Sequence, residues 1–293
     1  MQKNYLQYLL CILLLLSSCL TSVAQTGDNF IFPRTNSKST ITQTIASTQI
    51  EITYNRPNKR GREIFGNLVP YGKIWRTGSD EATKLYFSTP LKLAGNAIDS
   101  GRYELFTIPG EDKWEIILQQ SKNQWGSYRY NKENDVARFS VSPEKSDKIT
   151  ETFTISIDKV GSDGGILAIA WDNVTVPIEI KIDLKATVIP DLEKAMQGEG
   201  RHPYFLAAMF YYENNIDINR AAELMVLALE QNPGHIGMLY RQALILKKKG
   251  DTEGAKKAAE QSLAGAQNVG PELKAEYTRL NTALLNELKA IKY

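Results

Sequence analysis

Two hydrophobic periods divide the chain. From about residue 37 to 185 apolar residues recur at every second position: Ile50, Ile52 and Tyr54; Phe153, Ile155 and Ile157; Val176, Ile178, Ile180 and Ile182. Period two is the signature of strands that bury one face. Turn signals separate the runs, at Arg56-Pro57-Asn58, Ala94-Gly95-Asn96, Pro109-Gly110, Ser142-Pro143 and Gly161-Ser162-Asp163-Gly164. Many short strands at such spacing predict an all-β antiparallel sandwich. Ser37 to Thr48, rich in Thr and Ser, reads as its exposed edge strand, and 161–165 as a hairpin turn.

Past Pro190 the period becomes helical. Helices are expected over Tyr204–Glu213, Asn219–Gln231, Ile236–Lys249, Thr252 to about Gln267, and from Pro271 to near Tyr293, with stops at Asn232-Pro233-Gly234 and Gly250. A shift of 34 residues superposes Met209 on Ala243, Asp217 on Asp251, Ala221 on Ala255 and Leu229 on Leu263. That period, with small residues where helices pack, resembles the tetratricopeptide repeat, although the repeat's Trp and Gly-x-x-Tyr are absent and only two units are visible. The second part is thus an all-α, tetratricopeptide-like domain. Stacked helical pairs offer surfaces to proteins, so a protein partner is expected there.

The first residues form neither pattern. Met1-Gln2-Lys3, an apolar run from Tyr8 to Leu16 and the exit Ser22-Val23-Ala24 describe a secretory signal peptide. The expected organisation is a leader at 1–24, a sandwich at 25–187 and helices at 188–293. Export to the periplasm or beyond follows, with one alternative. Leu16-Ser17-Ser18-Cys19 resembles a lipobox, which would put a lipid on Cys19 and tether the chain to a membrane; no other membrane attachment is expected. The two cysteines, Cys11 and Cys19, both fall in this stretch, so no disulfide is expected.

Composition excludes several chemistries. There are 35 basic and 33 acidic residues for a net charge of +2, which is no electrostatic footprint for nucleic acid. Only two histidines occur, His202 and His235, each beside a helix-turn proline. With no cysteine beyond residue 19, this argues against a zinc site and a Cys–His nucleophile. No P-loop or dinucleotide fingerprint occurs, and neither metal nor cofactor is expected.

Residues 54–87 stand out. Between Arg56 and Lys84 lie seven cations and three acids, with Phe65, Tyr71 and Trp75 interleaved and glycines at 61, 66, 72 and 78. Arg62, Tyr71, Trp75, Arg76, Asp80 and Glu81 are the candidate ligand-binding residues: guanidinium forks for carboxylate or phosphate, aromatic faces for a sugar or a cation. A carbohydrate or a peptide would suit them. The same residues admit a structural reading, in which Arg62 and Arg76 pair with Glu63, Asp80 or Glu81, and Trp75 and Phe65 plug the core. Arg56–Arg60 reads as a solvated turn.

The run Gly61-Arg62-x-Ile64-Phe65-Gly66-x-Leu68-Val69-Pro70-Tyr71-Gly72-x-x-Trp75-Arg76-x-Gly78-x-x-Glu81-Ala82-Thr83, with Gly101-x-Tyr103-x-Leu105-Phe106, Trp125-Gly126-x-Tyr128-x-Tyr130 and Asp135-Val136-x-Arg138, resembles a family of exported bacterial proteins known only as a domain of unknown function. The similarity spans roughly residues 38–182, and Ser79-Asp80 replaces the family's usual Ala-Asn. The resemblance implies architecture and location, and no chemistry. The functional reading is therefore a non-catalytic binding protein of the cell envelope. The alternative is a polysaccharide or peptide hydrolase, in which Asp80 or Glu81 would need a second carboxyl such as Glu104 or Glu115.

Overall fold

A computed structural model describes residues 35–120 and 122–290. The expected leader, including Cys19, lies outside these residues. The strands are β1 (Ser37–Ile45), β2 (Thr48–Arg56), β3 (Thr83–Phe87), β4 (Leu91–Leu93), β5 (Asn96–Ile98), β6 (Gly101–Ile108), β7 (Trp114–Gln120), β8 (Asp135–Val141), β9 (Glu144–Asp158) and β10 (Gly164–Lys181). They form two antiparallel sheets, ordered β1-β2-β3-β6-β7-β8 and β5-β4-β10-β9. The alternating apolar residues meet between them: Ile50, Ile52, Leu85 and Leu105 face Phe153, Ile155, Val176 and Ile178 in one buried core. β1 is the edge strand, mostly exposed along its length.

The two sheets are stitched together where β2 ends. Phe153 N–H donates to Pro57 O at 2.8 Å and Lys59 N–H to Glu151 O at 2.7 Å, so the chain after Arg56 pairs with β9 of the opposite sheet. The Arg56–Arg60 turn is therefore not merely solvated. Arg56 donates to Phe153 O and Thr154 Oγ1, and Lys59 reaches the Asp172 carboxylate at a bulge in β10. The hairpin expected at 161–165 joins β9 to β10.

Helices begin a few residues before Pro190: α1 (Leu184–Thr187), α2 (Ile189–Ala195), α3 (Tyr204–Glu213), α4 (Ile218–Gln231), α5 (Ile236–Lys249), α6 (Thr252–Gly265) and α7 (Pro271–Ala290). Leu184, Val188, Phe210 and Ile216 pack on the sandwich core. Among the described residues no helix is long and apolar enough to cross a membrane.

The 34-residue period is realised in α3–α4 and α5–α6. Ala221 and Ala255 are both fully buried, and Asp217 and Asp251 both cap the second helix of their pair. Asp217 Oδ1 accepts from Asn219 N and Arg220 N, and Asp251 Oδ1 accepts from Gly254 N. Gly250, with φ 90°, closes α5 in the left-handed conformation that glycine adopts without a steric penalty. Substituting Asp217→Ala or Asp251→Ala is expected to cost about 1 kcal/mol each, read from urea denaturation midpoints.

Candidate functional site

The chain between β2 and β3 is the block whose composition stood out. It first turns back on itself, with Gly66 N–H donating to Val69 O and Val69 N–H to Ile64 O, which drops Ile64 and Val69 into the core. Further on, Trp75 pairs with Thr107 of β6 through both backbone groups, at 2.8 and 2.9 Å. That register points its indole inward. Trp75 is only 7% exposed. It stacks on Trp171 with ring centroids 6.0 Å apart, and meets Phe65, Trp114 and Phe153 edge-on. Its Nε1–H donates to Gly78 O at 3.1 Å.

The buried turn that follows is strained. Thr77 holds φ 54° and Asp80 φ 58°, unusual for a β-branched residue such as Thr77. Hydrogen bonds from Thr83 Oγ1 to Thr77 O, and between the Thr77 and Thr107 hydroxyls, hold it. Gly78 is required here: its φ is 147°, and a Cβ would lie 3.1 Å from Asn55 O.

The six candidate residues do not converge. Arg62 is exposed and donates to the carbonyls of Asn58 and Lys59. Tyr71 lies against Gly66, and part-burial, followed by Glu111 and Glu63, raises its hydroxyl pKa. Arg76 is half-buried, its Nε has no hydrogen-bond partner, and it makes no ion pair among the described residues. Asp80 accepts Gly126 N–H through its carbonyl and the Ser79 hydroxyl through its carboxylate. Glu81 lies at the edge of the outer sheet face, half-buried, 3.2 Å from Lys84 and 3.7 Å from Lys38. The hydrogen bond from Lys84 holds its carboxyl below the usual range, against some desolvation.

That surface is the outer face of the six-stranded sheet. The register places Thr53 beside Lys84, Glu51 beside Tyr86 and Tyr86 beside Arg102. The Arg102 guanidinium lies 4.5 Å over the Tyr86 ring. A polar depression of about 580 Å³ rests on these strands, walled by Lys38 and Asn123. Asn123 also lines a second depression of about 460 Å³, bordered by Lys122, Trp125, Tyr128, Arg129 and Asn134. Trp125 and Tyr128 are 58% and 86% exposed, unusual for large aromatics outside a contact surface.

The loop carrying these aromatics is anchored from below. Ala82 N–H donates to Gln124 O, and Glu81 bridges Trp125. Glu104 of β6 is fully buried. One of its oxygens accepts Lys122 N–H at 3.2 Å and Gln124 N–H at 2.8 Å, and the other accepts Gln124 Nε2–H at 2.9 Å. Beside it, Phe106, Ile117 and Ala82 form a small outer core under Ile74, Ile108 and Tyr130. Neither residue named as the second carboxyl for hydrolysis is free: Glu104 is enclosed, and Glu115 pairs with Arg138. Among the described residues no cluster of His, Cys, Asp and Glu could hold a metal ion.

Arg138 also grips Asp135 at 2.8 Å, and Asp135 lies within 3.1 Å of the Tyr130 hydroxyl. Burial first, then the Asp135 hydrogen bond, pushes Tyr130 up from 10.0 to about 12. A raised folded pKa leaves its stabilisation complete below the unfolded value and removes it as pH climbs through the folded one. Stability should therefore fall between pH 10 and about 12, and Tyr130→Phe should flatten that loss in alkaline denaturation curves.

Sequence reading missed this face because its residues are the polar half of ordinary strand alternation. The Trp125-Gly126-x-Tyr128 run was visible, but nothing local tells that the loop folds onto the sheet beside Lys84 and Arg102. No curated protein and no solved structure matches the chain. Residues 36–180 match the family model described as Protein of unknown function (DUF2911), so it is the sandwich, with both depressions inside it, that is similar to that family.

Proposed function

We propose that the chain is an exported, non-catalytic binding protein of the cell envelope, which holds a polar ligand on the open face of its six-stranded sheet. The observation that carries this reading is the polar depression over Thr53, Lys84, Tyr86 and Arg102, built on hydrogen-bonded strands rather than on loops. A rigid floor loses little conformational freedom on binding, which favours affinity. Export rests on the N-terminal leader, and a protein partner for the helical pairs rests on their repeat and on exposed Leu206 and Val226.

The test offers the purified chain a panel of oligosaccharides and peptides, and follows both heat of binding and release of new chain ends. Saturable binding with no product is expected. Steady release of product would establish the hydrolase instead. Mass spectrometry of the mature N-terminus decides between a start at Gln25 and a lipid-bearing Cys19.

A further inference from the structure

We infer that the ligand is an acidic glycan, lying across both depressions with its sugar rings on Trp125 and Tyr128 and its anionic groups toward the cations of the sheet face. This deepens the binding reading above and rests on it.

Charge is the first argument. The residues lining the two depressions include Lys38, Lys84, Arg102, Lys122 and Arg129 against one carboxylate, Glu51, in a chain that is otherwise nearly balanced. Glu81 neutralises part of Lys38 and Lys84. Arg102 lies over the Tyr86 ring and Lys122 donates to Asn134 Oδ1, but neither they nor Arg129 make an ion pair among the described residues, so no carboxylate neutralises their charge.

Shape and surface chemistry narrow the anion to a glycan. Each depression is the size of a small-ligand pocket, and because they adjoin at Asn123 a ligand filling both must be longer than one ring. Thr53, Ser100, Gln120, Asn123 and Asn134 line the walls with groups that donate and accept, which matches hydroxyls that do both. The exposed aromatic ledge offers apolar faces beside that polar wall, as the mixed C–H and O–H surface of a sugar ring requires. An acidic peptide would use the cations but leave the ledge without a matching surface.

The experiment measures binding by calorimetry of tetragalacturonate, a sulfated galactan tetrasaccharide, cellotetraose and tetraglutamate to the wild-type chain, Trp125→Ala and Arg102→Ala. Both substitutions are at the surface, and unchanged melting temperatures verify their folding. An acidic tetrasaccharide should bind about tenfold more tightly than cellotetraose, and the carboxylate and sulfate probes tell which anion is preferred. Trp125→Ala should weaken binding about tenfold, the worth of one aromatic contact. Arg102→Ala should weaken it and flatten its dependence between about 0.05 M and about 0.5 M salt. Tetraglutamate binding with no sugar binding would overturn the glycan while leaving the binding protein intact. Binding of cellotetraose as tight as that of the acidic sugars would overturn the acidic character. Acidic-sugar binding untouched by both substitutions would overturn the location. Silence of all four probes overturns the glycan, and the wider panel above then decides the binding reading separately.

Discussion

Trp75→Ala is expected to destabilise the sandwich by about 3–5 kcal/mol, the cost of emptying a buried tryptophan site. Trp75 is nearly fully buried among Phe65, Trp114, Phe153 and Trp171. Its removal opens a cavity between the sheets and strips Gly78 O of its indole donor. At about 2–4 °C per kcal/mol for a chain of this size, the melting temperature should drop by about 6–20 °C. Trp125→Ala, at the exposed ledge, should leave stability within about 0.5 kcal/mol. The two tryptophans thus separate the plug from the ligand surface in one pair of melting curves. A Trp75→Ala protein that melts like the wild type would show that the 54–87 block is not holding the core.

Glu104→Leu is the second large effect. It leaves the Lys122 and Gln124 N–H groups, and the Gln124 side-chain amide, without their carboxylate in a buried site. Each unsatisfied buried donor costs about 1–3 kcal/mol. A loss of about 3 kcal/mol in urea denaturation is expected, with faster amide exchange concentrated at residues 122–130. Because this loop carries Trp125 and Tyr128, ligand affinity should fall in the same variant. Unchanged exchange at Gln124 would mean the loop is held by something other than Glu104.

Much of this architecture is legible in the sequence. Period-two runs gave the strands because a strand buries alternate residues, and Gly250 marked a helix end because glycine takes the left-handed conformation there without a steric penalty. The functional surface was not legible in the same way. Trp75 among arginines suits a ligand clamp and a core plug equally well, and the distinction lies in Trp114 and Trp171, which arrive from β7 and β10. Lys84, Tyr86 and Arg102 look like the solvated side of two strands until the register sets them side by side. Glu104 reads as one more outward residue of β6, and only the returning loop buries it. Local chemistry thus fixes which face a residue takes, whereas the site depends on which other segments share that face.

The most direct measurement follows the indole N–H signals of the four tryptophans by NMR during titration with tetragalacturonate. Expected is a shift of the Trp125 signal, with those of Trp75, Trp114 and Trp171 unmoved. A shift at Trp75 with Trp125 unchanged would contradict an open-face site and return the ligand to the loop between β2 and β3.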